Sequence, residues 1–282
     1  MIALLAAVTL SVTNVMWHDA ARHRDVPVKM YAPVGAMNAP LIVFSHGLGG
    51  TREGYRFLAE HWATNGYVCI VVQHPGSDDS AWRGQKNKVS AMQKAGNLKN
   101  AEARPLDVSF VITESCKDSR VNAGAIGVAG HSFGAQTTLV VAGQRLATKS
   151  YLDPRVKAAI PMSSPRPLMG EAYREVTMPC LHLTGTKDDS AIFNTTAKDR
   201  RFAFDNISNA DQWLVTFNGA THMTFAGIGN AKHLELIRGI TTRFWDAHLK
   251  QDRAAQAWLL GGGLEELVAS NGVVEQKKPT NR

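Results

Sequence analysis

Gly130-His131-Ser132-Phe133-Gly134, preceded by Ala125-Ile126-Gly127-Val128-Ala129 and followed by Ala135 to Gly143, is the stretch whose reading decides the fold. The small and apolar residues before it read as a buried strand, and those after it as a helix. Between them lies the G-x-S-x-G spacing of a sharp strand-to-helix turn. Glycines two positions either side of the serine leave room for a strained backbone and a closely approaching helix. Such a turn holds Ser132 Oγ up as a nucleophile. It also puts the backbone N–H of Phe133 at the helix start, where it can stabilise an oxyanion. The bare motif occurs by chance in many chains; a strand before it and a helix after it are what separate a nucleophile elbow from coincidence.

The bulk of the chain fits that turn. At 282 residues it has room for one large α/β domain over 1–282 and for a core that needs no metal or disulfide. An apolar fraction of 44% and a charged fraction of 20% exclude wholesale disorder. The net charge of +7 comes from scattered Lys and Arg, with no basic stripe interleaved with aromatics, so no nucleic-acid partner is expected. Cys69, Cys116 and Cys180 form no close-spaced metal pair and read as structural, with one disulfide allowed but not demanded. The histidines show no H-E-x-x-H spacing, so neither metal nor organic cofactor is expected.

Ile2 to Val12 is apolar enough for the core of an export signal, yet no Lys or Arg precedes it and no small-x-small cleavage site is evident. Residues 1–12 are therefore either a signal remnant, which leans the chain toward export, or part of the first strand. The run is too short to span a membrane, so no stable insertion is expected. Lys277 to Arg282 is polar and expected to fray.

Taken in order, Val12 to Trp17 and Val26 to Tyr31 suggest an antiparallel pair about a polar hinge. Leu41 to Phe44 is a continuous apolar run, the pattern of a strand buried on both faces. It empties into Ser45-His46-Gly47-Leu48-Gly49-Gly50. That glycine-rich turn can aim an amide at a substrate carbonyl oxygen, and Leu48 is the expected donor, with His46 holding the loop. A helix is expected over Arg52 to Asn65, then a strand over Gly66 to Val72 ending in the polar segment Gln73 to Trp82. Its place at a strand's carboxyl end makes Trp82 a candidate pocket wall. Two helices are expected over Gln85 to Gly96 and over Pro105 to Cys116, the second with Leu106, Phe110 and Val111 on one face.

After the elbow, Val156 to Ile160 reads as a strand, and Pro161 to Pro179 as a loop over the site's edge. Cys180 to Thr184 is a late strand running into Gly185-Thr186-Lys187-Asp188-Asp189. Asp188, with Asp189 as the alternative, can reach a histidine after the next strand. Gln212 to Phe217 reads as the last strand, and His222 falls on the loop after it, completing the order Ser132, Asp188, His222. His233 and His248 lie in helix-like sequence, and Lys232 to Leu249 is expected to close the domain.

Four segments carry a resemblance to a known superfamily: Phe44 to Gly50, Gln73 to Ser80, Gly130 to Gly134, and Gly219-Ala220-Thr221-His222-Met223. They resemble the α/β-hydrolases, more narrowly the dienelactone-hydrolase-type and platelet-activating-factor acetylhydrolase-like esterases. The resemblance implies a mostly parallel central sheet with helices on both faces. It also implies a small-molecule ester substrate cleaved through an acyl-enzyme, with Ser132, His222 and Asp188 as triad. Dienelactone hydrolases use a cysteine nucleophile, so Ser132 implies ordinary carboxylester chemistry. The acetylhydrolases usually follow their elbow with a second glycine, where this chain has Ala135, so their particular substrate is not implied. Amide or peptide hydrolysis, polyester or lipid cleavage, and a non-catalytic binding protein on the same fold stay open as alternatives. Trp82, Phe133 and Met223 are together expected to form an apolar pocket.

Overall fold

Alternating side chains set the sheet. In Ala39–Ser45 (β3), Ile42 and Phe44 enter one core and Leu41 and Val43 the other. Val68–Val72 (β4) divides in the same way, Cys69 and Val71 against Val68, Ile70 and Val72. Strands apolar on both faces require cover on both, which helical crossovers between parallel strands supply. The computed structural model describes residues 8–167 and 170–280.

Leu10–Asp19 (β1) and Arg24–Pro33 (β2) form the expected antiparallel pair, and β2 pairs antiparallel with β4. Val121–His131 (β5), Val156–Met162 (β6), Cys180–Lys187 (β7) and Gln212–Thr221 (β8) continue the parallel set begun by β4 and β3. Gly272–Lys277 (β9) adds an antiparallel edge. The sheet order is β1-β2-β4-β3-β5-β6-β7-β8-β9. One face is covered by Arg56–Thr64 (α1) and Ala231–Leu249 (α6), where Trp62 and Trp245 meet edge to face at 6.0 Å. Gly127 lies beneath them; a Cβ there would come within 2.6 Å of Trp245. The other face is covered by Leu98–Ser115 (α3), Phe133–Val141 (α4) and Phe202–Asn206 (α5).

This order positions the site. From β3 the chain moves outward to β4, then returns to β5 on the other side of β3, so the connections leaving the carboxyl ends of β3 and β5 part in opposite directions. The crevice at such a reversal is where open α/β sheets bind ligands. Ser45 pairs with Gly130 across it, bringing the glycine-rich turn and the elbow side by side.

Several expectations need correction. β8 is not the last strand, nor does α6 close the chain: Arg253–Leu260 (α7), Gly263–Val268 (α8) and β9 follow. The six residues of β9 are too short and too exposed at the edge to show a buried-strand pattern. The tail is tied down as far as Thr280, whose N–H donates to Ser208 O at 3.0 Å, while Lys277 Nζ donates to Phe204 O at 2.6 Å. Residues 281–282 lie outside the described residues, as do residues 1–7 of the possible signal; Leu10 to Val12 belong to β1. Helix α1 starts at Arg56 rather than Arg52 because Tyr55 is left-handed, φ 60°. Helix α3 starts at Leu98, where Asn97 caps it, and carries Pro105 inside. Its buried face is Val108, Val111 and Ile112, with Leu106 exposed.

Candidate active site

The elbow has the shape its glycines require. A Cβ on Gly130 would collide with the Gly134 carbonyl, and one on Gly134 with the carbonyl of Ser45. Ser132 sits at φ 57°, ψ −118°, a conformation that costs about 1–3 kcal/mol and persists only where its surroundings enforce it. Its N–H donates to Met162 O at 2.9 Å and its carbonyl accepts from Ala135 N–H at 2.9 Å, so β6 and α4 hold it from both sides.

Three segments distant in sequence converge on the serine hydroxyl. Ser132 Oγ lies 3.0 Å from His222 Nε2, and His222 Nδ1 lies 2.8 Å from Asp188 Oδ1. His222 opens a single helical turn, His222–Ala226, locked by reciprocal bonds between Thr221 and Thr224. Asp188 follows β7 and is fully buried. Its Oδ2 accepts from Ser163 Oγ at 2.6 Å and Thr184 Oγ1 at 2.9 Å. Asp189 is exposed and accepts the N–H of Ala197 instead, so only Asp188 reaches the histidine.

The turn after β3 is braced from below. Gly49, at φ 75°, donates its N–H to Ser77 O at 2.9 Å, and its carbonyl accepts from Trp82 Nε1 at 2.8 Å. His46 does hold the loop: fully buried, it donates to Gly47 O and accepts from the N–H of His74. Behind it Arg104, also fully buried, donates to the carbonyl of His46 and to Ser45, Ser77 and Thr137. Neither the N–H of Leu48 nor that of Phe133 donates to any other group among the described residues. Both amides are left available beside Ser132.

Two cavities, of about 830 and 680 Å³, open beside Ser132, and Leu48, Ser132 and Ile192 line both. Trp82 and Met223 line the smaller, whereas Phe133 lines the larger with Pro165 and Phe193. The expected shared pocket of Trp82, Phe133 and Met223 is thus divided in two. Ile192, which borders both, is held in place: its carbonyl accepts from Gln93 Nε2 at 2.8 Å, joining the 190–195 loop to the helix Lys88–Ala95 (α2). Pro165, Arg166 and Pro167 show that the loop after β6 borders the cleft, as expected.

Sequence reasoning passed over a chain linking His222 to the glycine-rich turn. His131 Nε2 donates to His222 O at 2.9 Å, Tyr55 OH donates to His131 Nδ1 at 3.0 Å, and Gly47 N–H donates to Tyr55 OH at 3.0 Å. Burial, reinforced by the neighbouring His222, holds the His131 imidazole well below its ordinary value, so it stays neutral in this chain of bonds. No local pattern marks Tyr55, which lies in the run before α1. Among the described residues no group of three or more His, Cys, Asp or Glu is placed to hold a metal ion, and no helix is long and apolar enough to cross a membrane.

A family model described as PET hydrolase-like matches residues 29–254. The chain belongs to the PET hydrolase-like family. Its α/β-hydrolase arrangement agrees with the esterase resemblance carried by the four sequence segments. Two cutinases of Thermobifida alba, est2 and est1, are each 28% identical over 181 residues, which is 64% of this chain and 52% of each relative. Cutinase 1 of Thermobifida cellulosilytica is 26% identical over 181 residues, 64% of this chain and 59% of the relative. The chain thus spans about half the length of the first of these relatives.

Proposed function

We propose that this protein is a serine hydrolase that cleaves carboxylic esters through an acyl-enzyme, built as one α/β-hydrolase domain. The observation that carries the reading is the unbroken line Ser132 Oγ, His222 Nε2, His222 Nδ1, Asp188 Oδ1 beside an open cleft. In the first step Ser132 gives its proton to His222 Nε2 while Oγ bonds to the ester carbonyl carbon. The carbonyl oxygen becomes an oxyanion facing the amides of Leu48 and Phe133. His222 then passes the proton to the leaving alkoxide, the alcohol departs, and an acyl-serine remains. Water repeats the sequence with His222 as base, freeing the acid and restoring Ser132. Asp188 keeps the imidazole in the tautomer that presents Nε2 as acceptor.

A second reading, polyester cleavage, is favoured by one observation. Cavities meet at Ser132 from two directions, which suits a chain that continues past both sides of the scissile ester. The family description and the cutinase names point the same way. Trp82 and Met223 would line the lobe for one side of the substrate. Hydrolysis of a p-nitrophenyl ester series from C2 to C12, an anilide and a polyester film, wild type beside Ser132→Ala, tests both readings. Ester turnover lost in the variant supports the proposal. Turnover surviving Ser132→Ala, or confined to the anilide, would overturn it.

A further inference from the structure

Arg200 is the one arginine among the described residues that touches the candidate triad, and the mechanism above leaves it unused. Its side chain is 1% exposed and that of Asp188 0%, so the two charges face each other out of water. Arg200 Nε donates to the Asp188 carbonyl at 3.1 Å and lies 3.2 Å from Asp188 Oδ1. Nη1 donates to Ser163 O at 3.0 Å, the residue whose hydroxyl already serves Asp188. Nη2 approaches His222 Nδ1 to 3.2 Å. Because Nδ1–H is committed to Asp188, that approach is donor against donor: a fixed positive charge against the imidazole.

Local structure builds this placement. Arg200 rides on the short helical turn Ala197–Arg201, capped by a reciprocal box between Thr196 and Asp199 and by Asp189 at the N–H of Ala197. The ionisable groups around His222 are few. Asp188 comes from the end of β7, Arg200 from this turn, and neutral His131 from the elbow. Lys187, in register with Thr221, is exposed, and His233 of α6 packs on Phe217 instead.

A lone buried carboxylate favours the protonated form of a neighbouring imidazole at all times, including at rest, when a proton on Nε2 would stop it acting as base. We propose that Arg200 is a positioning residue that offsets the charge of Asp188 at His222. The carboxylate then fixes the tautomer without drawing a proton onto the resting base. This rests on the triad reading. Oriented that way, the pair separates two jobs that one carboxylate performs together, alignment and charge.

A double-mutant cycle tests it, with kcat/KM measured against pH per folded enzyme. In Arg200→Gln the acid limb should move up by about one pH unit, since a single charge at this range shifts a neighbour by about that much. Arg200→Lys, which keeps the charge, should bring the limb back toward the wild type. An unmoved limb with turnover reduced equally at every pH would mean that Arg200 only ties loops together, and would overturn the proposal. Should Arg200→Gln fail to fold because it leaves the Asp188 charge buried and unpaired, the double variant, which removes both charges, decides by the sign of a second comparison. With Asp188→Asn alone, the charge of Arg200 faces His222 unopposed, so Asp188→Asn/Arg200→Gln should be about tenfold more active than Asp188→Asn. A double variant equal to or weaker than the single would sink the idea. If Asp188→Asn or Ser132→Ala retains full turnover, the triad reading itself fails.

Discussion

Among the described residues the serine, histidine and aspartate relay occurs twice. Besides Ser132, His222 and Asp188, Ser45 Oγ lies 2.9 Å from His74 Nε2, and His74 Nδ1 lies 3.0 Å from Asp107 Oδ2. The two relays match in bond order and nearly in distance, and in each an arginine also meets the carboxylate: Arg24 on Asp107, Arg200 on Asp188. The differences lie around them. Ser45, His74 and Asp107 are 2%, 0% and 0% exposed, and none lines either cavity beside Ser132. Ser45 Oγ also accepts from Arg104, so its hydroxyl is occupied on both sides. Ser132 instead sits on a strained turn, its histidine 14% exposed, with two undonated amides beside it. A hydrogen-bonded relay is therefore a way of satisfying buried polar groups as much as of activating a nucleophile. Access, strain and free donors make the distinction.

The largest effect should come from exchanging the same mutation between the two relays. Ser132→Ala should lower ester turnover by about 10³-fold or more. Ser45→Ala should leave turnover per folded molecule within about tenfold but lower stability by about 1–3 kcal/mol, because His74 and Arg104 lose a buried partner. Equal losses of turnover would mean that the inner relay takes part in chemistry.

Next in size is Asp107→Asn. Burial works against its charge, but bonds from His74 and Arg24 outweigh it and hold the carboxyl down at about 2. Removing that charge leaves Arg24 and Arg22 facing an uncharged amide in a buried site, so a denaturation midpoint reporting about 3–5 kcal/mol of lost stability is expected. A loss below about 1 kcal/mol would show that the arginines simply turn to water.

Acid should then loosen the scaffold before it reaches the carboxylates. Burial and Arg104 hold His74 down at about 4, and burial does the same for His182 and His248. These folded-state values lie below the ordinary imidazole value of about 6.5, so the unfolded chain binds more protons in that window. The stability they contribute is full above about 6.5 and is lost as pH falls toward 4. Calorimetry should show Tm dropping by on the order of 10 °C between pH 7 and 4.5. A flat profile there would place these rings in water. The smallest effect should follow Trp82→Ala: a few-fold change in acyl-chain preference, since Trp82 lines one lobe but also braces Gly49. Phe133→Ala should change a different part of the profile, because it lines the other lobe.

The outer relay could be read from sequence because each member stands just past a strand of the parallel set, where topology brings strand ends together: Ser132 after β5, Asp188 after β7, His222 after β8. The inner one could not. Asp107 sits mid-helix in a run whose pattern announces only packing, and its partner His74 is 33 positions away, past the end of β4. Arg200 lies in Lys198-Asp199-Arg200-Arg201, a charge run of the kind that ordinarily faces solvent. Nothing local shows that one of its arginines turns inward. Burial is a property of the assembled sheet, and a charged residue's neighbours decide whether it is tolerated there. Likewise nothing local shows that Ile192, in the 190–195 loop, is half-buried and bonded through its carbonyl to Gln93.

The antiparallel edge strand β9 carries one more consequence, in the order of synthesis. β8 leads directly into His222, and its outer side is closed only by residues Gly272–Lys277. While the chain is being made, β8 emerges first and waits through α6, α7 and α8 with a row of unpaired amides and carbonyls facing outward, an open template for any other extended segment. The strand that leads into His222 is thus paired on its outer side only after Gly272–Lys277 follow, and a chain cut before Gly272 would leave that side of β8 open.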